Sequence, residues 1–192
     1  MLNADTNIMC LHRYDFRGTI LWVQDIPGNG DCLFGSIVHQ LYGLHPIDNL
    51  DLFESSTLRL RKQVVAYLRE HIHEFYHFLL PFAGDHDPEG TVMGFLDHLS
   101  KSGVWGGEET LYVICRKFNV NVEVWNSRSG RVLPYHCMDN VSVGTIRLLY
   151  TGVHYDSIVY VGDPPGYPNS GKLLLIQHSI IVDNSILDRF PI

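Results

Sequence analysis

The stretch Pro27-Gly28-Asn29-Gly30-Asp31-Cys32-Leu33-Phe34, continuing through Gly35-Ser36-Ile37-Val38-His39-Gln40-Leu41-Tyr42 to Gly43, decides how the rest of the chain is read. Its first four residues have the composition of a tight turn. From Cys32 onward, Leu33, Phe34, Ile37, Val38 and Leu41 recur at the spacing that gives a helix one apolar face. Gly43 is a natural stop, because glycine accepts the left-handed conformation that closes a helix. The spacing therefore predicts a helix with a cysteine in its first turn. Unpaired N–H groups and the positive end of the helix dipole meet there, and both favour thiolate over thiol. The turn Asn29-Gly30-Asp31 adds backbone N–H groups of the kind that stabilise the oxyanion of a tetrahedral intermediate. A small buried cysteine at a helix start is the plainer alternative.

Working outward, residues 19–24 (T-I-L-W-V-Q) read as a strand, and residues 1–17, polar and unpatterned, as a loose arm. Residues 55–80 carry one long helical pattern, with Ser55, Ser56 and Thr57 as candidate caps and Pro81 as its end. A shorter helix follows over 91–100. Another begins after Gly106-Gly107, with Leu111, Ile114, Cys115 and Phe118 on one face. Strands are expected over 120–125, 145–150 and 155–161, then a Pro/Gly hinge over 162–171 and a further strand over 172–182. Helices dominate the first half and strands the second, which favours an α+β fold over a doubly wound sheet. The domain is expected over 18–162, with 163–192 as an extension that could complete the sheet.

Composition narrows the function classes. With 192 residues, 45% of them hydrophobic and 18% charged, the chain is too apolar for disorder and suits one domain. It lacks any run of about 18 uncharged apolar residues, and its start is not a basic segment followed by an apolar one, so neither a membrane span nor export is expected. A net charge of −7, with no Lys/Arg cluster, argues against nucleic-acid binding. Cys10, Cys32, Cys115 and Cys137 lie far apart and form neither a zinc ribbon nor a disulfide framework, so free thiols in a reducing, cytoplasmic compartment are expected. His73-Glu74-Phe75-Tyr76-His77 matches the zinc-protease pattern H-E-x-x-H. At about 100° per residue, however, His73 and His77 fall off the stripe formed by Val64, Leu68, Ile72, Phe75 and Leu79. They read as a solvated face, and no metal or other cofactor is expected.

A second constellation sits late in the chain. In His154-Tyr155-Asp156, alternation along a strand places His154 and Asp156 on one face. A carboxylate there can hold one imidazole nitrogen and leave the other for a thiol, the nucleophile–base–orienter arrangement. An exposed polar strand start is the plainer alternative.

Taken in order, Pro27 to Phe34, then Trp105-Gly106-Gly107, then His154-Tyr155-Asp156-Ser157 resemble the ovarian-tumour (OTU) family of cysteine proteases, over roughly residues 19–161. That resemblance implies a papain-like α+β fold with a mostly antiparallel central sheet flanked by helices. It also implies hydrolysis of the isopeptide or peptide bond after the C-terminal Gly-Gly of ubiquitin. Cys32 would be the nucleophile, His154 the general base and acid, and Asp156 the orienter. Backbone N–H groups of the loop at Asn29, Gly30 and Asp31 would hold the oxyanion, with Trp105, Gly106, Gly107 and Tyr155 on the substrate side. The implied partners are ubiquitin, polyubiquitin or ubiquitin-like modifiers, met by a monomer. The family's loop Asp is Asn29 here, its Asn before the cysteine is Asp31, Gly35 stands where Arg is common, and Thr110 replaces a frequent Glu. A carboxylate at Asp31 is expected to push the pKa of Cys32 up. The alternatives are a ubiquitin-binding module without catalysis, and a viral or mobile-element protease that cuts a polypeptide.

Overall fold

The computed structural model describes residues 11–86, 90–137 and 142–163. Six strands, β1 (Leu11–Phe16), β2 (Thr19–Gln24), β3 (Asn121–Asn126), β4 (Arg131–Tyr135), β5 (Thr145–Tyr150) and β6 (Tyr155–Val161), join in one sheet. Their order is β1-β2-β6-β5-β3-β4, with every neighbouring pair antiparallel except β3 and β5. The helices are α1 (Cys32–Tyr42), α2 (Leu50–Glu70), α3 (Ile72–His86), α4 (Val92–Leu99) and α5 (Glu108–Phe118). The α+β architecture and the mostly antiparallel sheet agree with the sequence reading. Among the described residues, no helix is long and apolar enough to cross a membrane.

The position of α1 explains its composition. Every residue from Cys32 to Leu41 is buried. Leu33, Phe34, Ile37 and Val38 share a core with Leu60, Val64 and Leu68 of α2, Leu111 and Ile114 of α5, and Val122 and Leu148 of the sheet. Leu148 and Leu149, adjacent in β5, enter different clusters because successive side chains of a strand point to opposite faces. Polar side chains of α1 then fix its register against the sheet. Ser36 Oγ donates to Tyr155 O (3.1 Å), His39 Nδ1 lies 2.8 Å from Ser157 Oγ, and Gln40 Nε2 donates to Arg147 O (2.6 Å) and Ser157 Oγ (2.9 Å). These bonds bind the start of β6 to the helix that begins at Cys32.

Four expectations change. The loose arm ends sooner than residue 17, since Leu11–Phe16 pairs with β2 and turns back through Arg17 and Gly18, both at positive φ, with Asp15 Oδ1 accepting from the Gly18 N–H. The predicted helix over 55–80 begins earlier, at Leu50, because Asn49 Oδ1 caps the Leu52 N–H. It also divides at His71, where the backbone leaves helical geometry and both the His71 N–H and its ring Nδ1 lie 3.0 Å from Tyr67 O. Pro81 lies inside α3 instead of ending it; burial of Leu79 and Ala83 on either side offsets one missing hydrogen bond. The fourth change is β4, an exposed edge strand that tolerates Pro134 and carries little apolar patterning. The strand expected over 172–182 lies outside the described residues.

Candidate active site

Cys32 opens α1, so its own N–H has no partner within the helix. The loop before it, from Pro27 to Asp31, brings the chain off β2. His154 immediately precedes β6, and Asp156 is the second residue of that strand. The alternation anticipated from the sequence holds: His154 Nε2 lies 3.0 Å from Asp156 Oδ1. The same Oδ1 accepts the Ile26 N–H at 2.9 Å, so the carboxylate is fixed from a second strand-loop junction. The Cys32 thiol and the His154 side chain interact, each shifting the other's titration.

The electrostatics follow from these contacts. Burial pushes the Cys32 thiol up, but the hydrogen bond with His154, the Tyr155 and Leu33 N–H groups and the imidazolium charge more than offset it, leaving the pKa below its ordinary value. His154 is pushed up to about 10, first by its hydrogen bond with Asp156 and then by that with Cys32, against a smaller desolvation effect. Cys115 shows the opposite case. Burial without a cationic partner pushes it up to about 12, where it stays a thiol.

The loop geometry refines the oxyanion expectation. Asp31 donates its N–H to Asn29 Oδ1 (3.1 Å), which leaves the Gly30 and Cys32 N–H groups as candidate donors. Gly30 sits at φ +87, and a Cβ there would overlap the Gly103 carbonyl, so the loop packs backbone against backbone on residues 101–104.

The expected upward push from Asp31 on Cys32 is not found. Its carboxylate is paired with Arg61 of α2, which is fully buried, and Oδ2 accepts from Ser102 Oγ (2.5 Å) and the Gly103 N–H (3.2 Å). Arg61 Nε donates to Asp31 Oδ1 at 2.8 Å, Nη1 to Leu99 O at 2.8 Å, and Nη2 to Val104 O at 2.5 Å and Gly30 O at 3.4 Å. Its Cζ stands 4.1 Å above the Phe34 ring. Arg61, Ser102 and Gly103 are absent from the sequence reading.

Trp105 is 64% exposed beside these loops. Gly106 lies against Phe34 and Thr110, with no room for a Cβ, and Gly107 caps α5 by donating its N–H to Glu109 Oε1 (2.7 Å). Glu109 is buried, and burial raises its pKa. The Tyr155 ring stacks on Tyr150 with centroids 4.6 Å apart, while its N–H faces the Cys32 sulfur. His73 and His77 are exposed on α3 while Phe75 and Leu79 are buried, and Glu74 pairs with Arg116 at 2.8 Å. Among the described residues, no cluster of three His, Cys, Asp or Glu could hold a metal ion. A cleft of about 410 Å³ opens between Pro27–Asp31 and the first turns of α2, but Cys32 and His154 do not line it.

A thiol that interacts with an imidazole, and a carboxylate that holds the imidazole, form on an α+β frame the arrangement of the thiol hydrolases. The chain belongs to the OTU-like cysteine protease family, whose model matches residues 27–155. It is 27% identical over 145 residues to the ubiquitin thioesterase otu2 of Schizosaccharomyces pombe, covering 71% of this chain and 44% of that protein. It is 30% identical over 141 residues to the RNA replication protein of Citrus leprosis virus C, covering 72% of this chain and 5% of that protein. A solved ovarian tumour (OTU) domain in complex with ubiquitin shares the fold, with a TM-score of 0.58, 18% identity and 90% of each chain covered. The chain spans less than half the length of the otu2 relative.

Proposed function

We propose that this chain is a deubiquitinase that hydrolyses the bond after the C-terminal Gly-Gly of ubiquitin. The single observation that carries this is the Cys32–His154–Asp156 line, in a family whose yeast relative is named a ubiquitin thioesterase. The Cys32 thiolate attacks the terminal glycine carbonyl, and the oxyanion settles on the Gly30 and Cys32 N–H groups. His154, as imidazolium, gives its proton to the leaving lysine amine, and the C–N bond breaks to leave a thioester. Water then loses a proton to His154 and attacks the thioester, releasing the carboxylate and returning the thiolate. Asp156 keeps the ring oriented and supports its positive charge throughout. A free catalytic thiol is compatible with a reducing compartment such as the cytoplasm, and that compartment is part of the proposal.

The test is incubation with ubiquitin carrying a C-terminal propargyl group. A covalent adduct on Cys32, lost in Cys32→Ala, is the expected result. Binding without an adduct would identify a ubiquitin-recognition module. If Cys32 reacts with small electrophiles but neither binds nor modifies ubiquitin, the substrate is another polypeptide.

A further inference from the structure

Arg61 is the most deeply buried cation near the site, and its hydrogen bonds follow a pattern. Its donors reach Asp31 and the carbonyls of Gly30, Leu99 and Val104, all on the nucleophile loop or the segment leading to Trp105. Asp31 completes the figure by accepting from Ser102 and Gly103 on that same segment. A planar fork of donors suits this task, since it can grip a carboxylate and backbone carbonyls at once.

We infer that Arg61 is a positioning residue: paired with Asp31, it clamps the Gly30–Cys32 backbone to the 99–104 segment and cancels a negative charge next to the nucleophile. The inference rests on the reading of Cys32 as that nucleophile. Without the clamp, the two candidate oxyanion donors lose the segment they pack on. Without the cation, a carboxylate stands unbalanced one residue from a thiolate. The other charged or titratable groups around Cys32 are His154 and Tyr155 at the start of β6, Asp156 behind His154, and Glu109 of α5.

The test compares wild type, Asp31→Asn, Arg61→Gln and the double variant as full chains. Alkylation by iodoacetamide is followed on the Cys32 peptide by mass spectrometry from about pH 5 to about pH 10. Asp31→Asn should move the alkylation midpoint down, and Arg61→Gln should move it up by about one pH unit. The double variant should return near wild type. On ubiquitin with a fluorogenic C-terminal amide, Arg61→Gln should lower kcat about tenfold with KM changed less than about twofold. A purely structural pair would not move the two midpoints in opposite directions. If Arg61→Gln fails to fold, Asp31→Asn decides alone, because it is isosteric: an unmoved or raised midpoint in folded protein overturns the clamp. A wild-type Cys32 with an ordinary thiol midpoint and no hydrolysis overturns the proposed function itself, and the clamp with it. A low wild-type midpoint with unmoved variants overturns only the clamp.

Discussion

Asp156 separates two contributions that most catalytic carboxylates confound. One oxygen, Oδ1, accepts from both His154 Nε2 and the Ile26 N–H. In Asp156→Asn the amide oxygen can occupy the same place and keep both bonds, losing only the charge. Charge-assisted hydrogen bonds are roughly twice as strong as neutral ones, so the loss is about 1–1.5 kcal/mol of transition-state stabilisation, about tenfold in kcat/KM. The side chains of His154 and Asp156 are 25% and 11% exposed, so solvent screens the pair little. Asp156→Ala removes the ring's anchor outright, about 2–3 kcal/mol or about 30- to 150-fold. It also leaves the Ile26 N–H without its acceptor, costing about 1–3 kcal/mol of folding stability. The assay is the pH dependence of kcat/KM on ubiquitin with a fluorogenic C-terminal amide. In wild type the acid limb reports proton loss from the Cys32–His154 pair, and the alkaline limb falls as His154 loses its proton near its raised pKa of about 10. Because Asp156 is the leading cause of that raised value, both variants should pull the alkaline limb to lower pH. Equal losses in Asn and Ala with an unmoved alkaline limb would refute this account.

Further outcomes follow from the packing. Burial, aided by the neighbouring His45, holds His39 down to about 4, so the unfolded chain takes up its proton first as pH falls. Its contribution to stability is complete above the unfolded value of about 6.5 and is lost as pH drops toward 4; urea midpoints should decline across that window, and less steeply in His39→Asn. Gly106→Ala places a methyl 2.8 Å from Thr110 Oγ1 and 3.0 Å from the Phe34 ring, and should cost about 1–3 kcal/mol, read as a Tm lowered by about 3–10 °C. Chelators should leave hydrolysis unchanged, since the proposed steps use sulfur, imidazole and backbone donors; lost activity restored by zinc would return attention to His73 and His77.

Legibility in the sequence tracked burial. α1 and strands β2, β5 and β6 were readable because each carries a run of buried, largely apolar residues, and Cys32, His154 and Asp156 lie at or beside the ends of these elements. β1 and β4 run along the two edges of the sheet, β4 mostly exposed and β1 mostly half-buried, so Leu11–Phe16 carries polar residues that look like an arm. Arg61 was lost in a run with Arg59 and Lys62, yet a signal existed. Thr57, Leu60, Arg61, Val64 and Leu68 are all buried on one helix face, and a charge in that stripe calls for a buried partner. The sign of Asp31's influence on Cys32 was not readable for the same reason, since its partner lies thirty residues on.

Encasement of α1 on all sides has a consequence for how a ligand is received. A helix wedged between a sheet and other helices cannot roll or slide without opening voids in several elements together, which makes the sulfur the stationary jaw of the site. The imidazole is presented from the opposite side by the short turn joining β5 to β6, where Gly152 at φ +100 and the outward-facing Val153 lead directly into it, and where the Gly152 carbonyl accepts from Tyr150 Oη at 2.6 Å.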